Sequence, residues 1–311
     1  HGVEARVRAG PSSSVRRSGR VGRLTRDELI TAALLAWGGA ELRDLPWRRT
    51  NDPWLVLVSE VMLQQTSVAR VLPKYETFIA TFPTPASLAD APLGDALQLW
   101  QGLGYPRRCR NLREAAIAVV RDHGGELPCT IEGMLSLPGV GQYTARAVLA
   151  FAHSMDVAVV DTNVSRVLSR LAGRPMKAKE LQERADELVP SGSAWEWNQV
   201  MMDLGARVCV ARTPKCGECP VRGFCTWKGD AAVEDPAPSS AGASKPQARF
   251  EGSDRQARGR AMRALNEGSR SRRELVAAMS LAEDVPRAMS LIDALVREGL
   301  VVEESSLLRL P

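Results

Sequence analysis

Four of the six cysteines fall within the seventeen residues "CVARTPKCGECPVRGFC", as Cys209, Cys216, Cys219 and Cys225 in a C-x6-C-x2-C-x5-C array. In a chain with no sign of secretion, such crowding points to a metal site rather than to disulfides. Four thiolates suit either a tetrahedral zinc or a [4Fe–4S] cluster. Zinc usually takes two C-x2-C pairs and this array has one, which tilts the reading toward iron and sulfur. Arg212, Lys215 and Arg222 lie in the loops that such a metal would fix, so a rigid basic prong for phosphates is expected there. Cys109 and Cys129 read as ordinary free cysteines.

Two carboxylates stand in apolar surroundings. The stretch "VSEVMLQQTSVA" (58–69) reads as a helix that is apolar nearly all round, yet it carries Glu60 and the adjacent amides of Gln64 and Gln65. Among Val58, Val61, Met62 and Leu63, the Glu60 carboxyl should be raised by desolvation and hold a proton near neutral pH, which makes it a candidate general acid. A structural carboxylate bonded to backbone is the alternative. Asp161 follows the apolar run "VAVV" at the start of a further helix, where a plain N-cap is the alternative.

In "LPGVGQYTARAVLAF" (137–151), Gly139 and Gly141 frame a tight turn between a short helix ending at Leu137 and a longer one starting near Gln142. Such a turn leaves unpaired backbone amides at a helix N-terminus, which bind phosphate oxygens without regard to sequence. A plain glycine turn between two core helices is the bland reading.

The elements that must position these groups are helices. Thr25 and Glu28 form a capping box ahead of Leu29, Ile30, Ala33 and Leu34 at helical spacing. Asp52 and Pro53 open the helix that carries Glu60. Helical patterns recur to about residue 207 with few convincing strands, so this part is read as all-α. Residues 1–23 read as a disordered basic tail and 229–248 as a Pro, Ala and Ser-rich linker. Residues 249–311 hold about three helical segments, a stop at Gly299 and two short strand-like pieces, a winged-helix-like unit. The net charge of +5 and pI near 9 favour an acidic polymer as partner, but only six of the 41 basic residues are lysines and a bias toward arginine codons explains as much. No apolar run is long enough to span a membrane and no signal peptide is visible, so a cytosolic chain is expected.

From about residue 25 to 228 the chain resembles the helix-hairpin-helix DNA glycosylases that carry an iron–sulfur cluster, the endonuclease III superfamily. Within it the chain is most similar to the MutY-type adenine glycosylases, because "LPWRRTNDPW", "SEVMLQQT", "GLGYPRR", "LPGVGQYTA", "VVDTNVSRV" and the four cysteines occur in that family's order. The resemblance implies a two-lobed all-α fold over 24–228, with the cluster loop at 209–225. It implies removal of adenine mispaired with guanine or 8-oxoguanine in double-stranded DNA by a monomer found with the nucleoid. Glu60 would protonate the adenine and handle water, and Asp161 would stabilise the sugar cation. Tyr143 and Asn163 would line the adenine pocket and support the aspartate. Gln64, Gln65, Thr66, Tyr105, Gly139, Val140 and Gly141 would contact DNA, with Gln65 filling the vacated space and Tyr105 wedging beside the opposing base. Relatives that cleave the backbone have a lysine where Tyr143 stands, so little or no lyase activity is expected. The chain departs from the pattern at its C-terminal side, where many members carry a β-rich Nudix-like domain that reads 8-oxoguanine. A thymine or uracil mismatch glycosylase of the same superfamily and a non-catalytic DNA-binding protein with a cluster are the competing readings.

Overall fold

The computed structural model describes residues 24–243 and 249–311; the tail expected over 1–23 and residues 244–248 lie outside the described residues. Helix α1 (Arg26–Glu41) begins at the Thr25 and Glu28 capping box. Helix α2 (Pro53–Leu63) begins at Asp52, whose carboxylate accepts the amides of Trp54 and Leu55; each such cap contributes about 1 kcal/mol. There follow α3 (Val68–Thr81), α4 (Pro85–Asp90), α5 (Leu93–Trp100), α6 (Arg107–His123), α7 (Ile131–Leu135), α8 (Gln142–Ala152), α9 (Thr162–Ala172), α10 (Ala178–Leu188) and α11 (Ala194–Arg207).

These helices bury two cores. The first gathers Trp54, Met62, Tyr75, Phe78, Trp100, Met134 and Val148 from α2 to α8. The second gathers Ile30, Leu34, Val164, Leu168, Leu181, Trp197 and Met201 from α1 and from α9 to α11. Each large side chain so buried contributes roughly 1.5–3 kcal/mol, so both lobes are firm platforms. Helix α8 packs on α2 on one side and on α11 on the other, which joins the lobes. The two-lobed all-α arrangement is the one expected.

One sequence expectation changes here. Residues 58–69 do not form one helix: α2 stops at Leu63 and α3 starts at Val68. Between them Gln65 adopts a left-handed φ of 54°. The carbonyls that would continue the helix are diverted, because Nη1 of Arg108 takes those of Val61, Met62 and Gln64 at 2.7, 2.9 and 2.6 Å. The two glutamines therefore stand on a turn. Helix α7 likewise ends at Leu135, two residues before the expected Leu137.

The C-terminal unit contains α12 (Asp254–Asn266), β1 (Arg270–Ser271), α13 (Arg272–Ala278), α14 (Val285–Arg297), β2 (Val302–Glu304) and β3 (Leu307–Arg309). Its small antiparallel sheet has the order β1-β3-β2, with Leu308 opposite both Arg270 and Glu303. Ser305 and Ser306, at φ 50° and 69°, supply the tight turn between β2 and β3. Three helices with a small sheet match the winged-helix-like expectation. Its apolar interior (Ala261, Leu265, Leu275, Ile292, Leu308) is continuous with the first core. The amide of Gly94 donates to the carbonyl of Pro311 at 2.7 Å, and a Cβ at Gly94 would lie 2.5 Å from that oxygen.

Residues 230–243, within the expected linker, lie along the second lobe. Asp235 pairs with Arg170, the Ala241 carbonyl accepts from Ser165, and Ser240 accepts the amide of Met176. Among the described residues, no helix is long and apolar enough to cross a membrane.

Candidate active site

Glu60 leaves the middle of α2 only 5% exposed, with Val58, Val61 and Met62 of the same helix buried around it. Burial pushes its carboxyl up to about 7; the hydroxyl of Tyr143 donates to it and opposes the rise, the charge of Asp161 adds to it, and Arg48 opposes it. The groups that act on Glu60 thus come from three other parts of the chain. Tyr143 belongs to α8, which packs on α2, and Asp161 opens α9 in the other lobe. Burial and the two neighbouring carboxylates hold the Tyr143 phenol well above its usual range, so it remains a donor.

Asp161 is the N-cap of α9. Its Oδ1 accepts the amides of Asn163 and Val164 at 2.8 and 2.7 Å, and its Oδ2 accepts Nδ2 of Asn163 at 2.7 Å. Burial raises its pKa, while those donors and the charge of Arg166 act against the rise. The partners divide the two acids. Asp161 faces three donors, which suit an ionised carboxylate; Glu60 faces one donor and a negative neighbour, which suit a carboxyl that keeps its proton.

Residues that sequence reasoning passed over hold this pair in place. The run before Asp161 is gripped by the buried Asn198, which accepts from the Val159 amide at 2.7 Å and donates to the Val157 carbonyl at 2.9 Å. Asp186 accepts the Ala158 amide and is itself paired with Arg146. Gly205 of α11 lets the turn of Asn163 approach, since a Cβ there would lie 2.5 Å from Asn163 Cβ and 2.9 Å from its carbonyl oxygen. Arg48 is fixed by Asp203, whose side chain is fully buried and binds Arg43 as well. Burial alone would raise Asp203, but the hydrogen bonds of Arg48 and Arg43 hold it at about 2. Of these holding residues only Arg48 and Arg146 stand in a quoted motif; Asn198, Asp186, Gly205 and Asp203 lie outside all of them.

The expected DNA-facing residues fall on neighbouring turns. Gln64 donates to Thr144 Oγ1 at 3.4 Å, and Thr66 donates to the Leu103 carbonyl at 3.1 Å. Gln65 is exposed, and Tyr105 has a left-handed φ of 48°. Arg108 locks the two turns together, donating to Thr66 Oγ1 and to the carbonyls of Leu103 and Gly104 while its guanidinium lies 5.6 Å from the Tyr105 ring. In the hairpin, Gly139 needs both its φ of +77° and its missing side chain, because a Cβ would lie 2.8 Å from Asn111 Cβ. Gly139 and Gly141 are exposed and α8 starts without a side-chain cap, so amides are offered outward. Val140 differs: its amide donates to the Leu137 carbonyl and its side chain is buried, so it shapes the turn.

The four cysteines ring a recess of about 310 Å3, counted out to open solvent, whose wall includes Arg170, Val208 and Trp227. Nη1 of Arg170 reaches Cys209 Sγ at 3.3 Å, and the Lys228 amide reaches Cys225 Sγ at 3.3 Å, as thiolate ligands require. A Cβ at Gly229 would lie 2.6 Å from Cys216 Sγ. Among the described residues, no three such side chains are close enough to hold one metal ion. Four thiols lining one recess, two of them facing N–H donors, fit a cubane, whose irons take one cysteine each.

Fold, hairpin and cysteine loop define a base-excision repair protein of the helix-hairpin-helix class. The family described as HhH-GPD superfamily base excision DNA repair protein matches residues 58–191, and the iron–sulfur binding domain of endonuclease III matches 209–225. The adenine DNA glycosylase of Mycobacterium tuberculosis is 43% identical over 239 residues, 75% of this chain and 77% of that protein. That of Mycolicibacterium smegmatis is 39% identical over 274 residues, 86% and 91% respectively. The human adenine DNA glycosylase is 42% identical over 208 residues, 62% of this chain and 38% of its own. A solved thermostable thymine-DNA glycosylase superposes with a TM-score of 0.62 at 31% identity, over 65% of this chain and 96% of the other. Endonuclease III trapped on DNA superposes with a TM-score of 0.58 at 24% identity and shows the same fold, over 66% and 98%. The chain belongs to the adenine DNA glycosylases and carries their [4Fe–4S] cluster site.

Proposed function

We propose that this chain removes adenine mispaired with guanine or 8-oxoguanine from double-stranded DNA, acting as a monomer. The observation that carries the reading is the buried Glu60, its carboxyl pushed up to about 7, standing beside the Tyr143 hydroxyl and the hydrogen-bonded Asp161. The extruded adenine takes the Glu60 proton on a ring nitrogen. The bond from C1′ to the base then breaks with its electron pair leaving on adenine. Asp161 faces the resulting oxocarbenium ion with its negative charge, as the second carboxylate does in glycoside hydrolysis. Water adds to C1′ and returns a proton to Glu60, which leaves free adenine and an abasic site.

Gln64, Gln65, Thr66 and Tyr105 enter the duplex or line its edge, and the amides of Gly139 and Gly141 take phosphate oxygens, with Val140 holding their turn. The cluster, when bound, fixes the loop from which Arg212, Lys215 and Arg222 stand exposed toward the backbone. Tyr143 offers a phenol where a Schiff base needs an amine, so lyase activity is absent or slight.

Single-turnover assays with alkali cleavage on A·G, A·8-oxoG, T·G and U·G duplexes test the reading. Excision confined to adenine is expected. The 31% identical thymine-DNA glycosylase gives the second reading its support, and cleavage of T·G or U·G with adenine spared would replace the first reading by it.

A further inference from the structure

The wedge residue is held from two sides. Tyr105 keeps a left-handed backbone, which for a side chain other than glycine persists only where the surroundings enforce it. Arg108 supplies the grip from within the catalytic lobe. The other grip comes from the C-terminal unit, where Nη1 of Arg255 on α12 donates to the Tyr105 hydroxyl at 3.1 Å. The Arg255 guanidinium lies 5.1 Å from the Phe250 ring, which steadies it.

Helix α12 is itself tied to the helix that follows the wedge. Arg258, one turn beyond Arg255, pairs with Glu298 at 2.5 Å, and the same carboxylate takes Arg107 at 3.2 Å. Arg110 donates to the Glu298 backbone carbonyl. Arg107 and Arg110 open α6 two residues beyond Tyr105, so the wedge is fastened to α12 and its helix to Glu298 at the end of α14, which Arg258 ties back to α12.

The structure assigns Arg255 as a positioning residue for Tyr105, through which the C-terminal unit takes part in discriminating the base opposite adenine. The inference rests on the reading that Tyr105 enters beside that base. A phenol held at both its backbone and its hydroxyl meets the opposing strand in one direction, and a base that does not accommodate that direction loses the contact. A ring free at its outer end adapts to any partner. The C-terminal unit thereby acts on the opposing strand through Tyr105.

The test compares single-turnover excision of adenine opposite guanine with excision opposite a tetrahydrofuran abasic analogue, where no base meets the wedge. Arg255→Ala should lower the ratio of the two rates about tenfold, the scale of one hydrogen bond to a charged donor. Tyr105→Phe should lower it by a similar factor, and the double variant by no more than either alone. Arg255→Lys, which still donates to the hydroxyl, should restore part of the ratio. If Arg255→Ala slows both substrates equally, or its effect multiplies with that of Tyr105→Phe, the assignment is wrong. If Tyr105→Ala collapses the ratio and Arg255→Ala leaves it, the wedge reading stands and this inference falls. If Tyr105→Ala leaves the ratio unchanged, both fall.

Discussion

Arg166 hydrogen-bonds Asn163, its Nη2 lying 2.7 Å from Oδ1 of the amide whose Nδ2 holds Asp161. The same guanidinium donates from Nε to the Cys209 carbonyl at 2.7 Å and from Nη2 to the Gly205 carbonyl at 2.6 Å. One side chain thus links the amide that holds Asp161 to the first cysteine of the cluster loop. Arg166→Ala should slow excision by at least tenfold and lower the visible absorption per protein at about 400 nm, a band expected of a cluster. Arg166→Lys should recover little, since an ammonium lacks the planar fork that reaches three acceptors. Normal excision by Arg166→Ala would remove the link.

The Glu60 carboxyl sets an alkaline limit. With its pKa raised to about 7, the acid form required for excision declines above that pH, so the single-turnover rate should fall as pH rises through 7. Its stability effect has the matching sign. The folded pKa lies above the unfolded value, so ionising Glu60 in the fold destabilises at pH above 7 and has no effect below about 4.5. Glu60→Gln should therefore lose excision, retain duplex binding and melt higher than the parent at about pH 8, by on the order of 2 kcal/mol. A variant that excises adenine at the parental rate would end the general-acid assignment.

Tyr143 tunes that limit. Its hydroxyl bond pulls the Glu60 pKa down against the push of burial. Tyr143→Phe should shift the alkaline limb of the pH profile upward, by roughly one unit for a lost hydrogen bond of ordinary strength. An unshifted or lowered limb would show that the hydroxyl does not act on Glu60.

Gly205 is a structural requirement of the aspartate turn. Gly205→Ala would drive a Cβ into Asn163, so a loss of about 1–3 kcal/mol in urea unfolding is expected, with slower excision. A parental unfolding midpoint and rate would show that α11 and α9 can part without consequence.

The two carboxylates, the hairpin and the cysteine array were legible in the sequence, because each rests on residue types that chemistry restricts: a charge in an apolar helix, two glycines round a turn, four thiols in a short span. The capping residues Thr25, Asp52 and Asp161 were legible for the same local reason. The break after α2 at Gln64 was not, since Val68 and Ala69 continue the apolar pattern and the cause is Arg108, more than forty residues away. Asn198, Gly205 and Asp203 were equally hidden. Each acts on a segment brought near only by packing of the two cores, and no periodicity announces such a meeting. The contact of Arg255 with Tyr105 spans 150 residues and belongs to the same class.

Helix α9 is a rigid beam loaded at both ends. Asp161 stands at its start and Arg170, which donates to Cys209 Sγ and to the carbonyls of Val210 and Ala211, stands near its end. The two are about 13 Å apart at 1.5 Å per residue. Pivoted at the cluster end, a tilt of about 4° carries the aspartate by about 1 Å, a misplacement that typically lowers a rate by about a hundredfold. A change in the four-cysteine loop that tilted α9 about Arg170 would therefore displace Asp161 without any contact to it.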